Sequence, residues 1–345
     1  MAYTTIDKSD DYFNTVTYTG NGSTRSITGV NFQPDWVWIK VRSTTYNHRL
    51  YDVVRGVDTN YYKLFPNLTI EQNTIQTNEL TSLDSDGFTL GNSVNVNNNG
   101  STFVAWNLLG GGTGVSNTDG SITSTVSANP TAGFSIVSYT GTGSAVQIGH
   151  GLNSAPQITI IKRINANIDW VVYTDVIDGS YDYLFLNTTA AKANTTVFSS
   201  DSDTFNFSTS ANVANVSSSA AIAYCFHSVK GYSKMGTYTG NGSTNGTFVY
   251  TGFKPAFVMA KRTNTTGNWF IHDSTRDQYN PSIRQLQADN SSTEYNSSLL
   301  AIDLLSNGYK LRNSSGMNAS GSTYLYMAFA ENPFVTSTGI PACAR

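Results

Sequence analysis

One short pattern occurs three times along this chain and constrains its fold more than any other feature. Tyr18-Thr19-Gly20-Asn21-Gly22-Ser23 returns as Tyr139-Thr140-Gly141-Thr142-Gly143-Ser144 and again as Tyr238-Thr239-Gly240-Asn241-Gly242-Ser243. After each copy comes a proline, followed six residues later by a lysine: Pro34 and Lys40, Pro156 and Lys162, Pro255 and Lys261. Fourteen residues beyond the prolines stand His48, Trp170 and Trp269. A repeat of roughly a hundred residues is the size of an ordinary domain. The unit to explain is therefore a module. Three modules in one chain read as a scaffold or binder before they read as a single-site enzyme.

Within each repeat the pattern is that of β-structure. Trp36-Val37-Trp38-Ile39 is apolar at every position, and Ile158-Thr159-Ile160-Ile161 and Phe257-Val258-Met259-Ala260 are its counterparts. Such a run predicts a strand buried on both faces. Asp84-Ser85-Asp86-Gly87, Asp201-Ser202-Asp203-Thr204 and Leu305-Ser306-Asn307-Gly308 mark a hairpin. Its Asp-Gly and Asn-Gly pairs predict a type I′ turn, in which both central residues take positive φ. The closing strands Ser101–Trp106, Ala221–Phe226 and Tyr324–Phe329 align Trp106 with Phe226 and Phe329. No useful length carries a capped 3.6-residue period, although residues 299–305 allow one or two helical turns. The predicted fold is all-β, with three tandem homologous β-sandwich, jelly-roll-like modules and little helix.

The boundaries follow from spacing. Tyr18 and Tyr139 lie 121 residues apart, Tyr139 and Tyr238 only 99. The excess matches a stretch of Gly, Ser, Thr and Asn with almost nothing apolar, which reads as a linker. The chain thus divides into an N-terminal attachment arm (1–15), repeat one (16–109), the linker (110–131), repeat two (132–231) and repeat three with a C-terminal tail (232–345). Each repeat is long enough to be stable alone.

Composition excludes several function classes. Charged residues are 12% of the chain, about half the usual fraction, and a net charge of −3 offers nothing to nucleic acid. No run approaches the eighteen apolar residues of a membrane span, and the N-terminus has no secretory pattern. Twenty tyrosines and seventeen phenylalanines argue against disorder. Cys225 and Cys343 form neither a disulfide framework nor a zinc motif, and Cys225 reads as a small core residue. Asn-x-Ser/Thr triplets arise by chance in a chain this rich in those residues.

Motifs for chemistry are sparse. Asp84 and Asp86 are weak candidate metal ligands, echoed by Asp201 and Asp203. The third repeat places Leu305 where Asp84 stands, which favours a turn. Asp52 with Arg55 and Asp273 with Arg276 read as salt bridges, or as a carboxylate with its orienting arginine in a groove; the second repeat has Thr174 at the aspartate's position. The four histidines sit in no nucleophile or metal motif. No catalytic residue, cofactor or enzymatic activity is expected. The candidate binding residues are the loop aromatics Tyr46, Tyr61, Tyr62, Tyr181, Tyr279 and Tyr295, which could stack on sugars.

Several strings carry a family likeness: Ala2-Tyr3-Thr4-Thr5-Ile6-Asp7, Tyr18 to Thr24, Pro34 to Lys40, Asp84 to Gly91, Val104-Ala105-Trp106, Tyr224 to Lys234, and Ala328 to Phe334. They resemble virion structural proteins, often labelled tail fibres, of tailed phages infecting aquatic bacteria, cyanophages included. The resemblance spans essentially the whole chain and implies a β-rich particle protein assembled in the host cytoplasm. The expected function is a non-enzymatic tail-fibre component contacting a host receptor or glycan, as a homo-oligomer, in particular a homotrimer, with other tail or capsid proteins as partners. A capsid decoration or head-fibre protein and a glycan depolymerase tailspike stay open as alternatives.

Overall fold

The computed structural model describes residues 3–56, 61–72 and 78–341; Met1, Ala2 and Cys343 lie outside them. The chain is all-β, as expected. Its layout follows from alternation along single strands. In Trp36–Val41 every residue is buried, but the two faces meet different cores. Trp36 and Trp38 enter the largest apolar cluster, while Val37, Ile39 and Val41 enter a second one. The same split places Ile158 and Ile160 in the large cluster and Ile161 in another, and likewise Phe257 and Met259 against Val258 and Ala260.

These strands sit inside three antiparallel sheets. Among the described residues the first runs, in spatial order, Phe13–Thr19, Thr102–Leu108, Trp36–Val41, Arg49–Asp52. The second and third place Phe134–Thr140, Ala220–Phe226, Ile158–Arg163, Val171–Thr174 and Ser233–Thr239, Thr323–Pro333, Phe253–Arg262, Trp269–Asp273 in the same order. A three-stranded sheet covers the outer face of each, giving a sandwich with its own outer core. The inner faces have no such cover. They meet one another, so Trp38, Trp106, Ile160, Trp170, Tyr224, Phe257, Trp269 and Phe329 share one central core. The expectation that each repeat is stable alone leaves out this shared layer.

Corresponding residues stitch the seams in cyclic order. Trp170 Nε1 donates to the Phe65 carbonyl at 2.9 Å, and Trp269 Nε1 to the Phe185 carbonyl at 2.9 Å. At the same position in the first repeat His48 Nε2 lies 3.0 Å from the Gln287 carbonyl. Trp38 Nε1 donates to His48 Nδ1 at 2.8 Å, so Nδ1 is the acceptor and Nε2 carries the proton. The imidazole thus does the work of an indole N–H. The three matched lysines follow the same rule: Lys162 Nζ donates to Thr69 O, Lys261 to Thr189 O, and Lys40 to Ser291 O, at 2.8, 3.0 and 3.2 Å. Each repeat reaches the one before it, and the first reaches the third. The contacts thus close into a ring around the central core.

Four sequence-based details are corrected. The hydrogen-bond register pairs Trp38 with Trp106, Ile160 with Tyr224 and Met259 with Met327. Trp106 therefore corresponds to Tyr224 and Met327, two residues from the expected match, because aromatics recur at alternate positions of the closing strands. Residues 110–131 are not a free linker. Val115–Asn117 and Ser124–Asn129 extend the second sheet, and Asp35 Oδ2 accepts from the Gly110 and Gly112 amides at 2.8 and 3.0 Å. Alternating Ser, Thr and Val suits an outer strand even without a long apolar run.

The hairpin turn is not type I′. Gly87 has positive φ, but Ser85 and Asp86 do not, nor do Asn307 and Gly308. The glycines answer a packing need. A Cβ on Gly87 would stand 2.0 Å from the Ile27 carbonyl oxygen, and one on Gly308 2.1 Å from that of Val249. The arm, finally, is docked. Ile6 is buried in the central core, Thr4 Oγ1 donates to the Lys230 carbonyl at 2.9 Å, and the strand beginning at Phe13 absorbs its last residues. Residues 298–300 form a single 3₁₀ turn before the strand Ile302–Leu305.

Candidate functional site

The Asp-x-x-Arg pairs lie buried inside the seams. Arg55 Nε reaches Asp52 Oδ2 at 2.5 Å with the side chains 1% and 0% exposed; Arg276 and Asp273 repeat this at 2.5 Å, both fully buried. Each carboxylate also takes a donor from the next repeat: Tyr224 OH to Asp52 Oδ2 at 2.6 Å, and Trp106 Nε1 to Asp273 Oδ2 at 3.0 Å. By register the third seam offers Met327 for the donor, Thr174 for the aspartate and Ile177 for the arginine. The polar trio is present or absent as a unit. That is what the cost of an unpaired buried donor or charge demands.

A further buried residue, absent from the sequence reading, pins the Tyr-Thr-Gly-x-Gly-Ser turn in all three repeats. Asn97, Asn215 and Asn318 are all fully buried. Their Oδ1 atoms accept from the Asn21, Thr142 and Asn241 amides at 3.0, 2.9 and 3.0 Å, and their Nδ2 atoms donate to the Ser23, Ser144 and Ser243 carbonyls. The preceding residues, Val96, Ala214 and Met317, accept from the hydroxyls of Tyr18, Tyr139 and Tyr238. The signal was in the sequence as an asparagine at matching places late in each repeat, but polar surroundings hid it.

Asp84 and Asp86 are occupied by their own surroundings. Asp84 accepts from Ser82 Oγ and Thr89 Oγ1, and Asp86 caps the Gly29 and Asn31 amides, which holds its pKa below the usual carboxylate value. Asp201 is tied to the Asp203 and Thr204 amides. Among the described residues no three His, Cys, Asp or Glu side chains gather as a metal site would require. Burial pushes the Cys225 thiol up to about 12, so it is an inert core group.

The loop tyrosines do not converge. Tyr46 and Tyr61 pack against the first outer core. Tyr62 is half-buried, and Tyr181 is held by its hydroxyl to Ser200. Tyr295 is 45% exposed and Tyr279 79%. Tyr279 lines a groove, an open depression of about 540 Å³ where the third repeat meets the first. Around it stand Asp10, Asn14, Gln278, Glu331 and Asn332, with Ser274 and Thr275 on the wall. Between repeats one and two the positions of Ser274 and Thr275 are Val53 and Val54, and between repeats two and three they are Asp175 and Val176; the added strands run past the valine pair, Gly114 lying against Val54. The seam around Tyr279 is thus lined by polar side chains where the seam between repeats one and two carries valines. Glu331 pairs with Lys254 at 2.8 Å, and Asp10 accepts from Asn31 Nδ2 at 3.0 Å.

Carboxylates, amides and a bare tyrosine ring together can hydrogen-bond sugar hydroxyls and stack on a pyranose face. No helix of the described residues is long and apolar enough to cross a membrane. Compared with the curated proteins and with the solved structures, the chain matches none. A family description does match, from residue 8 to residue 333. It takes in all three repeats and every seam described above, and the chain therefore belongs to DUF7483, a family defined as a domain of unknown function.

Proposed function

We propose that this protein is a non-enzymatic structural component of a phage virion, a tail-fibre constituent that holds a neutral host-surface glycan in the Tyr279 groove. Tyr279 carries the glycan reading: it is the most exposed large aromatic among the described residues, and it stands beside hydrogen-bonding side chains. The virion reading rests on the sequence likeness and on a design in which buried polar groups serve the seams. Hydrolysis is disfavoured, because a general acid needs a carboxyl kept protonated by burial. Asp10 is 45% exposed, and Glu331 pairs with a lysine.

The ring supports a second reading. A chain of three repeats closed into a ring suits a seat on a threefold-symmetric partner, as a capsid decoration protein would have. A trimer of this protein would join rings through their outer surfaces rather than create the central core. Locating the density in intact virions separates the two: the distal tail supports the fibre, the capsid lattice the decoration protein. The glycan reading is tested by calorimetry with oligosaccharides released from the host surface. Tyr279→Ala is expected to weaken binding at least tenfold with unchanged melting, and equal binding by the variant overturns the assignment.

A further inference from the structure

A second groove differs from the first in charge. It measures about 420 Å³ and is bounded by the N-terminal arm, the connection from repeat two to repeat three and the strand Phe248–Tyr250. Its lining contains Lys230 and Lys234 and no acidic residue. Lys230 Nζ stands 4.7 Å from the centre of the Tyr3 ring, and Lys234 Nζ 5.3 Å from that of Tyr250. The two tyrosine hydroxyls are 3.4 Å apart, and Tyr3 OH donates to the Gly252 carbonyl at 2.6 Å, which fixes the arm as one wall. Lys234 gives one N–H to the Tyr250 carbonyl at 2.8 Å, leaving two to donate.

Among the described residues neither lysine forms an ion pair with a carboxylate. The chain has 20 lysines and arginines in 345 residues, and most of those lining the seams are paired or caged by carbonyls. Two ammonium groups over two ring faces, one of them Tyr250 at 50% exposure, make a site where charge and stacking act on the same ligand. We infer that this groove binds an acidic saccharide, a uronic-acid-containing glycan. Its carboxylate takes the N–H groups of Lys230 and Lys234, and its sugar face lies on Tyr250. The site is separate from the Tyr279 groove and does not depend on that assignment.

The test is calorimetric titration of the full chain with tri-galacturonic acid, with neutral galactotriose and with inorganic sulfate. The acidic trisaccharide is expected to bind, to lose at least tenfold in affinity in the double variant Lys230→Gln/Lys234→Gln, and to weaken as salt rises from about 50 to 500 mM. Tyr250→Ala, which keeps both charges, should lose affinity as well, and Tyr279→Ala should not. All four residues are at least partly exposed, and unchanged melting of each variant is the control for folding. Three outcomes overturn the inference: no binding of the acidic trisaccharide, equal binding of galactotriose, or sulfate binding as tightly as the trisaccharide, which would reduce the groove to a simple anion site.

Discussion

Removing Asp52 from its seam is the sharpest test of how the ring holds together. Its carboxylate accepts from the Arg55 amide and guanidinium and from Tyr224 of the next repeat. In Asp52→Ala the guanidinium stays buried with the carbonyls of Leu50 and Tyr62 as its neutral partners, and the Tyr224 hydroxyl loses its acceptor. An unpaired buried charge costs about 3–5 kcal/mol, within which an orphaned hydroxyl accounts for about 1–3 kcal/mol. The third seam supplies the control, because it already carries an uncharged version of the trio. The triple variant Asp52→Thr/Arg55→Ile/Tyr224→Met imports that set. It loses the paired charges together and leaves no ion unmatched, so it should cost less than the single change, about 2 kcal/mol or under. Guanidinium unfolding followed by tryptophan fluorescence reads both, since Trp36 and Trp170 lie against Tyr224. A triple variant less stable than Asp52→Ala would refute the reasoning, as would a single change costing under about 1 kcal/mol.

Two further outcomes are expected. Burial lowers Lys40 to about 7 and Lys162 and Lys261 to about 8, against 10.5 for the free side chain. Between those values the unfolded chain holds protons the folded chain lacks, so stability should rise from pH 7 toward pH 10 by up to about 1.4 kcal/mol per pH unit per lysine. It should fall above pH 10 as unfolded tyrosines ionise, because buried Tyr224, Tyr232 and Tyr309 resist ionisation in the fold. Urea midpoints measured across this range check the profile, and a flat one would mean that the carbonyl cages keep the ammoniums charged. Residues 132–231 expressed alone should fail to fold cooperatively, because Phe134, Ile160, Trp170 and Tyr224 would face water. A dispersed amide spectrum with no dye binding would show that the central core is dispensable.

Much of the β-architecture was legible in particular residues. The unbroken apolar run at Trp36–Ile39 called for burial on two faces, and the alternation that sends Trp38 one way and Val37 the other is a property of any strand. Cys225 followed from its apolar neighbours. Misreadings came where residue type stood in for geometry. Trp106 looked like Phe226 because both are aromatic, yet the ladder matches it to Tyr224. Gly87 looked like a turn residue, yet it is small because Ile27 passes against it. The polar stretch 110–131 looked loose, yet outer strands need little apolar area. The tyrosines of the candidate site could be named in advance, but nothing local could tell bare Tyr279 from packed Tyr46.

By itself the sequence determined that the chain is made of strands, that it repeats three times, and that each repeat carries a lysine and a large ring donor at fixed intervals. Those properties depend on period and spacing, which are local. Only the tertiary structure decided that the inner faces meet one another, that Trp106 finds Asp273 and Tyr224 finds Asp52, and that a groove opens around Tyr279. Such pairings join residues 167 and 172 positions apart. No periodicity encodes which buried donor will meet which carboxylate. That is settled when three apolar faces, each without a cover of its own, exclude water together.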